Sequence, residues 1–233
     1  MRRVGILGGM GPEATVLLMQ KVLASASARD DADHIPLIVD QNPQVPSRIR
    51  HLIEGTGEDP GPVLADMARR LVTGGATALA MPCNTAHHYA ETINRAVDVP
   101  LLNMVELSAA HAARLAGGAD TSVGILASPA VRKVGLFDAV LAGFGLTALY
   151  ADDEPAMLAA IRQIKADGPQ DQARQTLKAQ SEDLLRRGAR VQMVACTEFS
   201  LIAGSVAAEA VAFDTLDVLT QAITAFARQA AED

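Results

Sequence analysis

"RRVGILGG", residues 2–9, and "TSVGILAS", residues 121–128, are two versions of one phrase, and their likeness decides how the rest of the chain is read. Each is an apolar run too short for a helix and closed by small residues, which predicts a buried strand. Each is followed by a proline and a segment with helical spacing, "PEATVLLMQKVLASAS" in one case and "PAVRKVGLFDAVLAGFG" in the other. Pro12 suits a first helical position, and Glu13 suits the positive end of that helix. The only two cysteines supply a second pair of landmarks, in "ATALAMPCNTAHHYA" (76–90) and "RVQMVACTEFSLIA" (190–203). The VGIL runs stand 119 positions apart and the cysteines 113 apart, so a six-residue difference in loop length aligns both.

Between the landmarks, strands and helices alternate. "IPLIVDQ" (35–41) predicts a second strand, and the polar, proline-punctuated "NPQVPSRI" a loop. "PGPVLADMARRLVTGG" (60–75) predicts a helix ended by glycines, "NTAHHYAETINRAV" (84–97) a helix after the first cysteine, and "VPLLNM" (99–104) a further strand. The second half repeats the order, with "LTALYA" (146–151) as a strand and "TLDVLTQAITAFARQAAED" (215–233) as the closing helix. The predicted fold is α/β: two similar lobes related by a pseudo-twofold, each a mostly parallel sheet flanked by helices, because such alternation needs crossover connections. The expected division is residues 1–102 with 210–233 returning to them, and 103–209. Open α/β sheets bind ligands beyond the carboxyl ends of their strands. Each cysteine falls at such an end, so the expected active site lies between the lobes, with the thiols approaching from opposite sides.

Composition narrows the function. A formal charge of −7 disfavours nucleic acid and anionic membranes as partners, since both call for a basic surface. No apolar run reaches membrane-spanning length, and the N-terminal run breaks into glycine too early for a signal-peptide core. Two cysteines without a secretory signal point to the cytoplasm, where paired thiols are more often catalytic than bridged.

The residues alone allow several readings of the thiols: a disulfide, two inert buried cysteines, a metal site, or an acid/base pair. Neither has the Cys-x-x-Cys spacing or adjacent Cys/His pair of a metal site, and His87 and His88 fit satisfied or exposed positions in the following helix. Each cysteine precedes a predicted helix start, where unpaired backbone N–H groups stabilise a thiolate, and Asn84, Thr85 and Thr197 add neutral hydrogen-bonding groups. One acid and one base on opposite faces of a carbon perform inversion of a stereocentre. The loop Gly9-Met10-Gly11-Pro12-Glu13-Ala14 formally meets the G-x-G-x-x-G/A dinucleotide pattern, and Asp40 ends the next strand. Glu13 would stand where a pyrophosphate must sit, so a turn whose N–H groups meet a small carboxylate fits better.

"GILGGMGPEAT", "NPQVPSR", "MPCNTAHHY", "VACTEFSLI" and "FDTLDVL" together resemble the aspartate/glutamate racemase family, whose members work without a pyridoxal cofactor. The resemblance spans nearly the whole chain. It implies Cys83 and Cys196 as the acid/base pair, with Met10, Gln44, Asn84, Thr85, Thr197 and Glu198 lining the site, and neither metal nor cofactor. It also implies a homodimer acting on a small amino acid. Arg48 and Lys165 match cationic positions of members that act on aspartate, and two cations suit a substrate with two carboxylates. Ser47 and Ile161 depart from the family pattern, where an Asp and a Tyr are common. An acidic amino acid is the expected substrate, aspartate before glutamate. A sibling racemase or isomerase for another α-carboxylate substrate and a non-catalytic amino-acid-binding protein are the alternatives.

Overall fold

The computed structural model describes residues 1–118 and 121–229. Val4, Ile6 and Leu7 in β1 (Val4–Gly8) are fully buried, as expected of a strand covered on both faces. The chain continues through α1 (Pro12–Ser25), β2 (Leu37–Gln41), α2 (Gly61–Thr73), β3 (Ala78–Ala80), α3 (Ala90–Asn94) and β4 (Leu101–Leu102). After α4 (Met104–Ala116) come β5 (Thr121–Leu126), α5 (Pro129–Lys133), α6 (Asp138–Ala142) and β6 (Leu146–Tyr150). The rest is α7 (Glu154–Asp167), α8 (Asp171–Arg186), β7 (Val191–Val194), α9 (Thr197–Ser200), β8 (Val211–Asp214) and α10 (Thr215–Arg228). Two compact units result: Met1–Met104 together with the chain from Leu216 onward, and Val105–Thr215.

Each unit holds one four-stranded sheet with every pairing parallel, in the order β2-β1-β3-β4 in the first and β6-β5-β7-β8 in the second. The α/β class and the repeat read from the sequence are therefore present as two sheets of one topology. In the first unit α2 buries Leu64, Met67, Ala68 and Leu71 with Leu7 and Leu79 of the sheet. Leu18 and Val22 of α1 join Leu216, Leu219 and Ile223 of α10 against Val4 and Ile6 on the other face. In the second unit Phe137, Leu141 and Val131 pack with Val123 and Ile125, while Ile161, Ile164, Leu177 and Leu184 of α7 and α8 pack with Leu126 and Val194. Each such fully buried aliphatic side chain contributes about 1.5–3 kcal/mol.

The glycine inside both VGIL runs has a steric cause. A Cβ on Gly5 would stand 2.9 Å from Ala76 Cβ and 3.0 Å from Leu71 Cβ, and one on Gly124 would stand 2.9 Å from Gln192 Cγ and 3.1 Å from Leu184 Cδ1. The second crossover helix of each unit lies directly over that strand position. Gly5→Ala should destabilise by about 1–3 kcal/mol, the range for overpacking a core. Gly124→Ala should cost less, because side-chain ends can swing away where the Cβ atoms facing Gly5 cannot. Urea unfolding of the two variants tests the order, which equal losses would contradict.

Three elements differ from the sequence reading. The helix expected over "PAVRKVGLFDAVLAGFG" is broken into α5 and α6 by Gly135, whose φ of 60° ends the first turn while its N–H and that of Leu136 cap Arg132 and Val131. The helix after Cys83 starts as a 3₁₀ turn over Thr85–Tyr89 and ends at Asn94. The strand β8 has no counterpart in that reading; it pairs with β7 and runs straight into α10.

Candidate active site

In each sheet the chain leaves its first strand toward one edge and its third strand toward the other. The crevice at the carboxyl ends of these two strands is where open α/β sheets bind ligands. In the first unit the strands are β1, followed by the glycine loop, and β3, followed by Met81-Pro82-Cys83. In the second they are β5, followed by Ala127-Ser128, and β7, followed by Ala195-Cys196. Each unit thus carries one cysteine at its own switch point. Both are free thiols, each 7% exposed.

The glycine loop is held from below. Thr15 Oγ1 accepts the Gly9 N–H at 2.9 Å and donates to the Gly11 carbonyl at 3.3 Å, while Met10 is buried against the α2 face of the sheet. Gly9 has φ +92°, and a Cβ there would stand 2.3 Å from the Asn42 carbonyl carbon. The space left by its missing side chain is filled by the chain's own backbone, and Asp40 is engaged by Arg70 at 2.7 Å. The acid that a dinucleotide site would offer to a ribose is therefore committed to an ion pair.

Cys83 is placed by a tight turn and a histidine. Its N–H donates to the Met81 carbonyl at 2.8 Å, turning the chain off β3 around Pro82. His87 Nδ1 lies 2.9 Å from the Cys83 carbonyl, and Nε2 accepts the Met104 N–H at 3.1 Å, so Nδ1 carries the proton and donates it to Cys83. The ring takes the carbonyl that an α-helix would give to the His87 N–H, which donates to Asn84 instead; this is why the segment begins as 3₁₀. Burial lowers the His87 pKa to about 4, against the opposing effect of the Cys83 and Asn84 carbonyls. The sign follows. The native pKa lies below the unfolded value of about 6.5, so the contribution to stability is full above that pH and is lost as pH falls toward 4. It amounts to about 3 kcal/mol at most. His87→Gln should flatten the stability curve between these limits, and urea unfolding of both proteins across that window measures it; parallel curves would assign the acid sensitivity elsewhere.

The other sequence-predicted residues fall into two groups. In the first unit Asn84 is buried and Thr85 half-buried beside Cys83, while Gln44 is exposed, its N–H donating to Asn42 Oδ1 at 3.0 Å. Arg48 Nη1 donates to the carbonyls of Val45 and Pro46 at 3.3 and 2.9 Å, and Nη2 to that of Met10 at 3.5 Å. Its buried Nε–H has no partner among the described residues. In the second unit Thr197 is buried after Cys196, Cys196 Sγ donates to Glu198 Oε2 at 3.0 Å, and Lys165 Nζ of α7 lies 3.2 Å from Glu198 Oε1. Ile161 is buried in the core cluster that contains Cys196. Sequence reasoning quoted Tyr89 within a motif but gave it no role. It is 6% exposed, its hydroxyl has no hydrogen-bond partner among the described residues, and burial with the Asp59 charge pushes its pKa up to about 12, against the Arg48 cation.

Each unit is a doubly wound sheet with a buried free thiol at its switch point. The sequence profile described as Asp/Glu/Hydantoin racemase matches residues 7–223, and the chain belongs to that family. The aspartate racemase of Picrophilus torridus is 26% identical and superposes with a TM-score of 0.84 over 97% of this chain and 94% of that one. An aspartate racemase homologue from Pyrococcus horikoshii shares the fold at 20% identity, with a TM-score of 0.75 over 98% of this chain and 100% of that one. The broad specificity amino-acid racemase RacX of Bacillus subtilis is 36% identical over 110 residues, a stretch covering 44% of this chain and 46% of that protein. That match thus spans about half the length of either protein.

Proposed function

We propose that the protein is a cofactor-independent amino-acid racemase that inverts Cα by proton transfer between Cys83 and Cys196. The observation that carries this reading is the matched placement of two free, buried thiols, each beyond the third strand of its sheet, in a chain of this family. In one direction a thiolate takes the Cα proton, forming S–H and leaving the electron pair on carbon. The opposite S–H then gives its proton to the other face of that carbon. The enzyme emerges with its two protonation states exchanged, and proton exchange with water restores them. Asn84, Thr85, Thr197 and the glycine-loop N–H groups beyond Gly9, whose own N–H is taken by Thr15, hold the α-ammonium and α-carboxylate in this reading.

Arg48 and Lys165 are the proposed holders of a second carboxylate, and aspartate is the preferred substrate ahead of glutamate. The Nε–H of Arg48, buried without a partner among the described residues, supports this assignment. A second reading, relaxed specificity, is favoured by the pairing of Lys165 with Glu198, which already neutralises one of the two cations. Likeness to a broad-specificity relative points the same way. Deuterium incorporation at Cα in D₂O, run across acidic, basic and apolar amino acids without added pyridoxal phosphate or metal, tests all of this. Incorporation confined to aspartate and glutamate supports the first reading, and incorporation across side-chain classes the second. None in any amino acid would sink both and leave a binding protein.

The proposed assembly is a homodimer in the cytoplasm. Val16, Met19 and Leu23 line the outer face of α1 at helical spacing and are 46%, 42% and 57% exposed, an apolar stripe suited to a second copy. Leu23→Glu should shift the mass measured by light scattering from dimer to monomer; a dimer that persists would move the interface elsewhere.

A further inference from the structure

We propose that Tyr89 is a specificity-determining residue whose buried hydroxyl donates a hydrogen bond to the same side-chain carboxylate of the substrate that Arg48 holds. The two donors make one site for an anionic side chain, within the first unit. The inference rests on the racemase reading and its assignment of Arg48, and it favours an acidic substrate over relaxed specificity.

Tyr89 is held from several sides. The 3₁₀ turn Thr85–Tyr89, set by the His87 ring, delivers it to the N-cap of α3. Its backbone there (φ −99°, ψ 11°) lies in the sparsely populated bridge region, where many active-site residues sit. Its ring packs in the core cluster of Met10, Val45 and Cys83. The His88 ring stands edge-on with centroids 5.0 Å apart, and the His51 ring is tilted at 6.2 Å. His51 belongs to a π-helical turn, Arg50–Glu54, and its Nδ1 lies 3.0 Å from the Gly57 carbonyl. Turns of that kind are rare and recur at functional sites. Where α2 begins, a Cβ on Gly61 would touch Tyr89 Cδ1 at 3.5 Å.

This fixed ring carries a hydroxyl with nothing to bond. It is buried and has no hydrogen-bond partner among the described residues, and neither has Arg48 Nε. Leaving one buried donor unpaired is costly, and two in one neighbourhood call for a shared acceptor. Arg48 donates to the carbonyls of Met10 and Val45, both members of the cluster that holds the Tyr89 ring. Its charge also acts on the phenol. The other charge felt there is that of Asp59, whose Oδ1 accepts the Gly61 N–H at 2.8 Å. Burial and the Asp59 charge hold the phenol pKa up at about 12, so the hydroxyl keeps its proton throughout the neutral range. A carboxylate has acceptor sites enough for both donors, whereas an apolar or cationic side chain leaves both unpaired.

Succinate carries both carboxylates of aspartate and no ammonium group, so its binding, measured by titration calorimetry, reads the site without turnover. Tyr89→Phe removes one oxygen and keeps the ring. It should weaken succinate roughly 10- to 100-fold, the size of one hydrogen bond to a charged group. It should leave the urea midpoint in place or raise it, because the free protein has no bond there to lose. In an Arg48→Ala background the same change should cost much less, since both donors act on one carboxylate. In turnover, the ratio of kcat/KM for aspartate to that for alanine should fall by roughly the same 10- to 100-fold. Equal succinate affinity in wild type and Tyr89→Phe overturns the inference, as do losses that add fully across the two variants. A weaker affinity accompanied by a lower urea midpoint marks a structural hydroxyl and also counts against it. If Tyr89→Phe fails to fold, the chain's two tyrosines, Tyr89 and Tyr150, allow a 3-fluorotyrosine label to be read by fluorine magnetic resonance. Tyr150→Phe assigns the two signals; succinate should shift that of Tyr89, and an unmoved signal overturns the inference. Deuterium exchange at Cα by the unaltered protein tests the racemase reading separately: without exchange, succinate binding that depends on Tyr89 would leave the carboxylate site standing and remove the racemase.

Discussion

Cys83→Ala and Cys196→Ala should each lower racemisation by roughly 10²–10⁴-fold, the range for losing a positioned acid or base, and the double variant should be little worse than either. Inversion needs a proton removed on one side of Cα and returned on the other, so one remaining thiol has no route to product. It still has a route to exchange. A single base can remove a proton, trade it with D₂O and return a deuteron to the same face. Each variant should therefore label one enantiomer at Cα without inverting it, and the two variants should label opposite enantiomers. Proton magnetic resonance with chiral analysis distinguishes this from misfolding, in which both labels vanish. If either variant inverts at near wild-type rate, the two-base scheme fails and one residue must serve both faces.

The parts legible in the sequence are those fixed by close packing along one strand. The VGIL phrase appears twice because a helix of each unit crosses its sheet over Gly5 and Gly124, and that constraint lies within a few residues of local sequence. The cysteines were legible for a similar reason, since a strand end at a switch point is marked by an apolar run stopping at a turn. What escaped depends on side chains replacing backbone partners, or on contacts distant in sequence. No periodicity reveals that the His87 ring displaces a helical hydrogen bond and tightens the first turn. "VAFD" is four residues with no breaker before "TLDVL", so β8 is visible only through its pairing with β7. Arg48 reaching Met10, and Lys165 reaching Glu198, join residues 38 and 33 positions apart on separate elements. The motif gave these residues a place; only the fold gives them neighbours.

Arg48→Ala should reduce kcat/KM on a dicarboxylic amino acid by about 2–4 kcal/mol, or roughly 30- to 1,000-fold, the cost of truncating one partner of a buried charged pair. The guanidinium spends Nη1 on the carbonyls of Val45 and Pro46 and one Nη2 hydrogen on that of Met10. The Nε–H lies on the same edge of the fork as Nη2 and is buried without a partner among the described residues. That edge matches the two oxygens of a carboxylate, whereas Lys offers a point charge with no edge, so Arg48→Lys should recover little. The same contacts give Arg48 a second task, since its bond to the Met10 carbonyl ties the loop after β2 to the glycine loop after β1. The two roles separate by substrate. Loss of a side-chain carboxylate ligand spares alanine, which presents nothing for the guanidinium to hold. Loss of the tie between loops slows every substrate alike, because Met10 moves whichever amino acid is bound. Steady-state rates for aspartate, glutamate and alanine with both variants decide the matter, and equal losses on all three would leave an acidic substrate without its main support.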